Sequence, residues 1–248
     1  MRSVVIIPAR YGSSRYPGKP LVPLLGKPMI LWVAELSAKA IGTENVYVAT
    51  EDTRILEIVE NAGFQAVMTS DDALTGTDRL AEAAQDIDAD IYINVQGDEP
   101  LANPIDIKKV RDAKLAHMGD VINGYSWISS QENPNSINIP KVITTEDNEL
   151  VYMSRVALPG FKDEKCAPIR FKKQVCIYAF TSDELIGFRS FGRKSELEHS
   201  EDIEILRFLE LGKKIRMVET QPGSLAVDVP EDVAKVEAAL RAAGRESA

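Results

Sequence analysis

Apolar residues in the first hundred positions fall into short β-branched runs separated by stretches of helical spacing. Ser3–Pro8 is apolar without alternation, the pattern of a strand covered on both faces. Lys27–Ile41 carries Met29, Ile30, Val33 and Leu36 near helical spacing and predicts a helix. Asn45–Thr50 follows as a second strand, and Asp52–Ala62 as a helix that Gly63 stops. Gln65–Thr69, Asp78–Ile87 and Asp90–Val95 continue as strand, helix and strand. This βαβαβαβ order predicts an α/β fold with a mostly parallel sheet and helices on both faces. Ligands of such sheets lie at the carboxyl ends of the strands. Two polar segments emerge there, Ala9–Pro20 after the first strand and Gln96–Pro104 after the fourth.

From about Asn123 to Phe180 the pattern changes. Strand-like pieces at Pro140–Thr145, Leu150–Ser154 and Lys173–Phe180 are separated by turn-rich stretches, and Gly160–Arg170 reads as a charged loop. A helix is expected at Glu201–Leu211, a strand at Ile215–Glu219 and a last helix at Pro230–Ala243. The expected architecture is one α/β domain over residues 1–248 with a small sheet-rich insertion at about 123–180. No internal repeat or low-complexity linker divides it.

Composition narrows the function. Of 248 residues, 44% are hydrophobic and 27% charged, which excludes disordered, collagen-like and disulfide-scaffold chains. The net charge of −9 argues against a nucleic-acid binder, so an anionic substrate would need a local basic cluster. Two cysteines, Cys166 and Cys176, are too few for a metal framework and read as buried or half-buried thiols in a reducing compartment. The opening run Val4–Pro8 is shorter than the apolar core of a signal peptide, and no run is long enough to span a bilayer. The protein is expected to be cytoplasmic, without nucleic-acid or membrane partners.

The densest chemistry lies in Pro8–Pro20, where Arg10, Gly12, Ser13, Ser14, Arg15, Gly18 and Lys19 follow directly on a buried strand. Backbone N–H groups in a small-residue turn, flanked by cations, suit a triphosphate; the bland alternative is a solvated basic turn. The glycine spacing fits neither a Walker loop nor a dinucleotide loop. Asp98, in Gly97-Asp98-Glu99-Pro100, is either an ordinary strand exit or a carboxylate for Mg²⁺. Asp228 is a second acidic candidate, just upstream of Glu231 and Asp232, which are assigned to helix capping. In Thr75-Gly76-Thr77-Asp78-Arg79, Thr77 or Asp78 is an N-cap candidate, and the Gly-Thr pair could equally offer N–H and hydroxyl groups to a base edge.

Taken together, Ile7–Leu21, Thr75–Ala83, Asn94–Pro100, Leu150–Pro159, Lys173–Phe180, Leu197–Gly212 and Ala226–Asp232 resemble the bacterial 3-deoxy-manno-octulosonate (Kdo) cytidylyltransferase family. The resemblance covers nearly the whole chain, and its most specific parts are Pro8–Leu21 and Asn94–Leu101. It implies a Rossmann-like nucleotide-diphospho-sugar transferase fold and a homodimer. The implied reaction joins CTP to a small acidic sugar, giving a CMP-sugar and pyrophosphate for lipopolysaccharide or capsule-type polysaccharide synthesis. On that resemblance Ala9, Arg10, Gly12, Ser13, Arg15 and Lys19 would cradle the triphosphate. Gly76, Thr77, Arg79 and Gln96 would meet the nucleoside. Asp98 and Asp228 would hold Mg²⁺, and Asp98, Asp228, Lys19 and Arg10 would form the catalytic group. Arg155, Gln174, Tyr178 and Glu204 would bind the acceptor.

The acceptor side departs from the family pattern. Gln174 stands where the family usually has histidine, and Ile205 where it has glutamine. A different acceptor is therefore weighed beside Kdo: an amino- or carboxyl-modified octulosonate, another nonulosonate or a phosphonate. A CTP-binding protein without turnover is a third reading, disfavoured because it has no need of two metal carboxylates. Tyr178 and Phe180 alternate along a strand and read more readily as core, and the Glu196–Glu204 acids as a solvated helix face apart from Glu204. His199 reads as a surface or capping residue.

Overall fold

The structure is a computed structural model that describes residues 1–12, 16–130, 132–223 and 225–245. In chain order its elements begin with β1 (Ser3–Pro8), the short hairpin β2 (Pro23–Leu24) and β3 (Lys27–Pro28), α1 (Met29–Ile41), β4 (Val46–Thr50) and α2 (Thr53–Asn61). Next come β5 (Gln65–Met68), α3 (Gly76–Ala83), β6 (Ile91–Val95), α4 (Pro104–Ala116) and β7 (Val121–Trp127). They are followed by β8 (Lys141–Thr144), β9 (Leu150–Ser154), β10 (Lys172–Phe180) and α5 (Ser182–Ser190). The chain closes with α6 (Glu196–Glu201), α7 (Leu206–Glu210), β11 (Ile215–Glu219) and α8 (Asp232–Ala242).

The sheet runs β11-β7-β10-β6-β1-β4-β5, with the β8–β9 hairpin attached to β10. Pairing is parallel at β1–β4, β1–β6, β4–β5 and β7–β11, and antiparallel where β10 enters between β6 and β7. The expected mostly parallel sheet with helices on both faces is therefore what the chain forms. Alternate residues of each strand feed two cores. Val5, Ile7, Ile93 and Val95 pack with Ile30 and Val33 of α1, Ile55 of α2 and Val110 of α4. Val4, Ile6, Tyr92 and Phe180 pack with Leu80 of α3, Leu185 and Phe188 of α5 and Phe208 of α7. Phe208 stacks between Phe180 and Phe188 at 5.0 and 4.6 Å. Among the described residues no helix is long and apolar enough to cross a membrane.

Several elements differ from the periodicity reading. The stretch 123–180 divides: β7 and β10 are internal strands of the main sheet, and only β8 and β9 stand off it. The expected single helix at Glu201–Leu211 is two short ones, broken where Asp202 takes a left-handed conformation at φ 50°. Helix α3 begins at Gly76, with Thr75 rather than Thr77 or Asp78 as its N-cap: Thr75 Oγ1 accepts from the Asp78 N–H. Two helices without a strong apolar period, α4 and α5, start on local signals. Asn103 caps α4 ahead of Pro104, and Thr181 with Glu184 forms a capping box for α5. Lys114, fully buried, ties the two together through both oxygens of Glu184 at 2.8 and 2.7 Å. Cys166 is exposed, not buried, and Cys176 is half-buried; both are free thiols.

Candidate active site

The first polar segment leaves β1 and is pinched shut at its base, where the Gly18 N–H donates to the Tyr11 carbonyl at 2.9 Å. Gly18 has φ 71°, and a Cβ there would stand 3.2 Å from the Tyr11 ring, so the turn demands glycine on both counts. Ala9 is buried and donates to Ala49, one step beyond the β1–β4 register. Arg10 is exposed, and Gly12 has open space around its Cα. Ser13 and Arg15 lie outside the described residues. Two residues that the motif reading missed brace this segment. Glu51 accepts the Tyr11 N–H at 2.8 Å, and the Arg54 guanidinium lies 3.4 Å over the Tyr11 ring. Both stand at or after the end of β4, beside β1 in the sheet but forty residues away in sequence.

Lys19 reaches from the far side of this loop to both acidic candidates. Its Nζ donates to Asp98 Oδ2 at 2.6 Å and lies 3.7 Å from Asp228 Oδ1. Two carboxylates 130 residues apart in sequence thus share one ammonium, Asp98 at the exit of β6 and Asp228 in the loop ahead of α8 rather than at a strand end. The backbone fixes this convergence, since the Val227 N–H donates to the Asp98 carbonyl at 3.0 Å. Asp232, read from sequence as a capping acid, accepts the N–H groups of Asp228 and Val229 at 2.9 and 3.0 Å. It caps by holding the turn that carries Asp228. Gly97 sets the position of Asp98, because a Cβ there would meet the Pro8 carbonyl oxygen at 3.0 Å and Ile30 Cδ1 at 3.3 Å.

Among the described residues no group of three or more His, Cys, Asp or Glu gathers as a metal cage. The Asp98 and Asp228 pair would nonetheless suit Mg²⁺, since that ion takes one or two carboxylates and completes its shell with phosphate oxygens and water.

The Gly76–Arg79 turn packs on the opposite side of β1. A Cβ on Gly76 would lie 3.2 Å from both Gln96 Nε2 and Pro8 Cγ, which brings Gln96 against the turn. The donors expected to face a base edge are engaged elsewhere. The N–H groups of Gly76 and Thr77 and the Thr77 hydroxyl all donate to Glu204, at 3.0, 2.8 and 2.5 Å. Glu204, expected on the acceptor side, clasps this turn. Burial pushes its carboxyl up, against the lowering effect of the Thr77 and Gly76 hydrogen bonds. Arg79 turns inward, donating to Thr69 Oγ1 and the Ser70 carbonyl and pairing with Glu51 at 3.1 Å. It braces the turn from beneath.

Of the acids near Glu204, Glu196 and Asp202 are exposed as a solvated face would be, but the others are not. Glu198 is buried and, with Asp78, surrounds the fully buried Arg207 guanidinium. Glu201 accepts from the Ser154 and Tyr152 hydroxyls and the Arg155 N–H. His199 is exposed, as expected of a surface residue.

On the proposed acceptor side, the Arg155 guanidinium donates to the carbonyls of Glu201, Asp202 and Ile137, which ties the β9 end to α6. Gln174 is half-buried on β10 and donates weakly, at 3.3 Å, to Asn123 Oδ1 and the Tyr178 hydroxyl. Asn123, which sequence reasoning missed, fills a bulge in β10 by donating to the carbonyls of Val175 and Ile177 at 2.8 and 3.1 Å. Tyr178 is 3% exposed, so its ring is core and only its hydroxyl is available to the site. Burial pushes that hydroxyl well above the ordinary tyrosine range and keeps it protonated. Ile205 is buried in the same core as Leu206 and Phe208, so its replacement of an amide is a packing choice and does not alter an open pocket wall.

Residues 4–215 match the family model described as Cytidylyltransferase. The chain is 41% identical to the 3-deoxy-manno-octulosonate cytidylyltransferase of Trichlorobacter lovleyi, over 97% of this chain and 99% of that one. It is 40% identical, with the same coverage, to the 8-amino-3,8-dideoxy-manno-octulosonate cytidylyltransferase of Shewanella oneidensis. Among solved structures, a CMP:2-keto-3-deoxy-manno-octonic acid synthetase complexed with CTP superposes with a TM-score of 0.90 at 37% identity, covering 98% of this chain and 100% of that one. The inositol-1-phosphate CTP transferase of T. maritima, at 16% identity and TM-score 0.72, shares the fold. With its family model spanning most of the sheet and relatives at this identity over nearly full length, the chain belongs to the cytidylyltransferase family and is a nucleotidyltransferase.

Proposed function

We propose that the protein transfers CMP from CTP to the anomeric hydroxyl of a Kdo-like 2-keto sugar acid. The hydroxyl oxygen forms a bond to the α-phosphorus, the bond from that phosphorus to the bridging oxygen breaks, and pyrophosphate leaves with the electron pair. The hydroxyl proton passes to solvent. The observation that carries this reading is the convergence of Lys19, Asp98 and Asp228 beside the Pro8–Pro20 loop. It occurs in a chain 41% identical to a Kdo cytidylyltransferase.

The residues do this by position and charge, which supply most of the catalysis in phosphoryl-group transfer. Arg10, exposed at the start of the loop, would meet phosphate oxygens, and Lys19 stands at the boundary between the loop and the two carboxylates. Asp98 and Asp228 would hold Mg²⁺, which when bound neutralises phosphate charge and lowers the pKa of a coordinated hydroxyl. In the free protein the Lys19 ammonium offsets part of the repulsion between those carboxylates.

A second acceptor, the 8-amino octulosonate, is favoured by the 40% identity to the Shewanella oneidensis relative and by Gln174, whose amide keeps hydrogen bonding and carries no titratable charge. The test is pyrophosphate release from CTP and Mg²⁺ with Kdo and with its 8-amino analogue. Turnover with either is the expected result, and the faster acceptor identifies the substrate. Release with neither, in protein that binds CTP, would overturn the acceptor class.

A further inference from the structure

Helix α8 ends in a left-handed turn that sends the chain back toward the exit of β6. Gly244 has φ 65°, its N–H donates to the Arg241 carbonyl, and the Arg245 N–H reaches back to the Leu240 carbonyl at 2.9 Å. This glycine-dependent helix end delivers the Arg245 guanidinium to the Pro100 carbonyl, to which it donates at 3.1 Å. Two residues before Pro100 stands Asp98, whose own carbonyl accepts the Val227 N–H at 3.0 Å. The turn that carries one carboxylate is therefore pinned twice by the C-terminal segment, once beside Asp228 and once from the end of α8.

The pins matter because packing behind this turn is incomplete. A cavity of about 140 Å³ lies there, bounded among others by Leu101, Ala102, Val175, Ile177, Gln221 and Arg245. A segment that backs onto open volume is held by its hydrogen bonds more than by the bulk of its neighbours. Helix α8 also grips the other side of the site. Glu237 Oε1 accepts the Leu25 N–H at 2.8 Å, where the backbone is left-handed at φ 50°, and Val236 and Leu240 pack with Leu24, Met29 and Trp32. Leu24 and Leu25 belong to the β2–β3 hairpin, which directly follows the Lys19 turn. The helix thus spans the two segments whose side chains meet in the 2.6 Å Lys19–Asp98 pair. Mg²⁺ demands near-ideal octahedral geometry, so a small displacement of one carboxylate harms metal binding more than it harms contacts to the nucleotide.

We propose that Arg245 is a positioning residue for the carboxylate pair: by holding the Pro100 carbonyl it fixes the Asp98 turn against Asp228, and so sets how much Mg²⁺ strengthens the hold on CTP. This rests on the reading of Asp98 and Asp228 as the Mg²⁺ pair. It gives Arg245 no contact with the nucleotide, so CTP binding without metal should not depend on it.

The experiment is titration calorimetry of CTP without acceptor, once in EDTA and once in Mg²⁺, and it reads the gain in CTP affinity that Mg²⁺ brings. The wild type, Asp98→Asn, Arg245→Ala and Arg245→Lys are compared, with melting curves to establish that each folds. Mg²⁺ is expected to tighten CTP binding in the wild type, and Asp98→Asn to lose most of that gain. Arg245→Ala is expected to lose about threefold or more of it, the scale of one hydrogen bond, while its affinity in EDTA stays at the wild-type value. Arg245→Lys keeps a cationic donor for the same carbonyl and is expected to retain most of the gain. Gly244→Ala strains the left-handed turn that delivers the arginine; it is the second probe and should act in the same direction as Arg245→Ala. A wild-type gain in folded Arg245→Ala, or an equal loss of affinity with and without Mg²⁺, would overturn the inference while leaving the metal pair in place. A wild-type gain retained in Asp98→Asn would overturn the reading of the metal pair itself, and the inference with it.

Discussion

Arg207→Met tests how much of this fold rests on one buried charge cluster. The arginine is fully buried. It bonds Asp78 at 2.7 and 3.0 Å and Glu198 twice at 2.7 Å, and its guanidinium lies 3.7 Å over the Phe188 ring. Asp78 lies in the first turn of α3, Glu198 in α6 and Arg207 in α7, so the cluster joins three elements. Burial opposes the charge on Arg207, but the hydrogen bonds it donates to both acids outweigh it and raise its pKa above the usual arginine value. Methionine keeps the unbranched length and the ring contact while removing the cation. Two like-charged carboxylates then lose their shared cation, and Asp78 keeps only the Thr75 hydroxyl and Glu198 only the Ser195 donors. Breaking a single buried pair costs about 3–5 kcal/mol, and stranding two acids places this change toward the upper end. For a chain of this size each kcal/mol moves the melting temperature by about 2–4 °C, so a cost of about 4 kcal/mol lowers it by roughly 8–16 °C. Differential scanning calorimetry at pH 7 measures this directly. Adding Asp78→Asn and Glu198→Gln to the same chain should recover much of the loss, because no uncompensated charge remains. A drop under about 3 °C for Arg207→Met alone would refute the reasoning, since it would mean that water or a rearranged side chain satisfies both acids.

Gly97→Ala should lower the melting temperature by roughly 2–12 °C and cut turnover, because the new Cβ presses on the Pro8 carbonyl and pushes Asp98 off its position; an unchanged melt would show that β1 and β6 can part at little cost. Asp98→Asn and Asp228→Asn should each abolish Mg²⁺-dependent pyrophosphate release in folded protein, and a wild-type rate in either would remove that residue from the mechanism. Burial would raise the Glu201 carboxyl, but hydrogen bonds from the Arg155 N–H and the Ser154 and Tyr152 hydroxyls hold it below the usual value of 4.5. Its stabilisation is therefore present above the unfolded value and lost as pH falls through the folded one. Melting curves of the wild type and Glu201→Gln should differ most near neutral pH and converge in acid, and a gap that widens in acid would contradict this sign. Gln174→His should change the kcat/KM ratio of Kdo to its 8-amino analogue without altering CTP affinity, whereas Ile205→Gln should chiefly lower the melting temperature, because it buries an amide in the Phe180–Phe208 core.

Much of the architecture was legible in the sequence because the strands of a parallel sheet are buried on both faces. Ser3–Pro8 and Val46–Thr50 are nearly continuous apolar runs, Ile91–Val95 is broken only by Asn94, and the helices between them keep one apolar face. The acidic residue at the β6 exit and the cations of the first loop were legible for a related reason. Charged side chains beside glycines at the end of a buried strand have few structural uses. The helices α4 and α5 were harder to read, since their apolar stripes are weak and their best signals are caps: Asn103 before Pro104, and Thr181 with Glu184.

What the tertiary structure decided was which polar groups spend their hydrogen bonds on the protein itself. Arg155, Arg79 and Glu204 have the composition of ligand-binding residues, yet their partners are the chain's own carbonyls, acids and N–H groups. Each partnership spans from about ten to more than a hundred residues, and local pattern carries no record of such pairing. The break at Asp202, the bulge filled by Asn123 and the antiparallel entry of β10 between β6 and β7 are likewise long-range results. The sequence by itself determined the sheet, its helices and the chemical character of its carboxyl edge, because burial is written in side-chain polarity residue by residue. Only the folded chain could decide which of those charges face a substrate, because a buried polar group takes whichever partner the packing brings within about 3 Å.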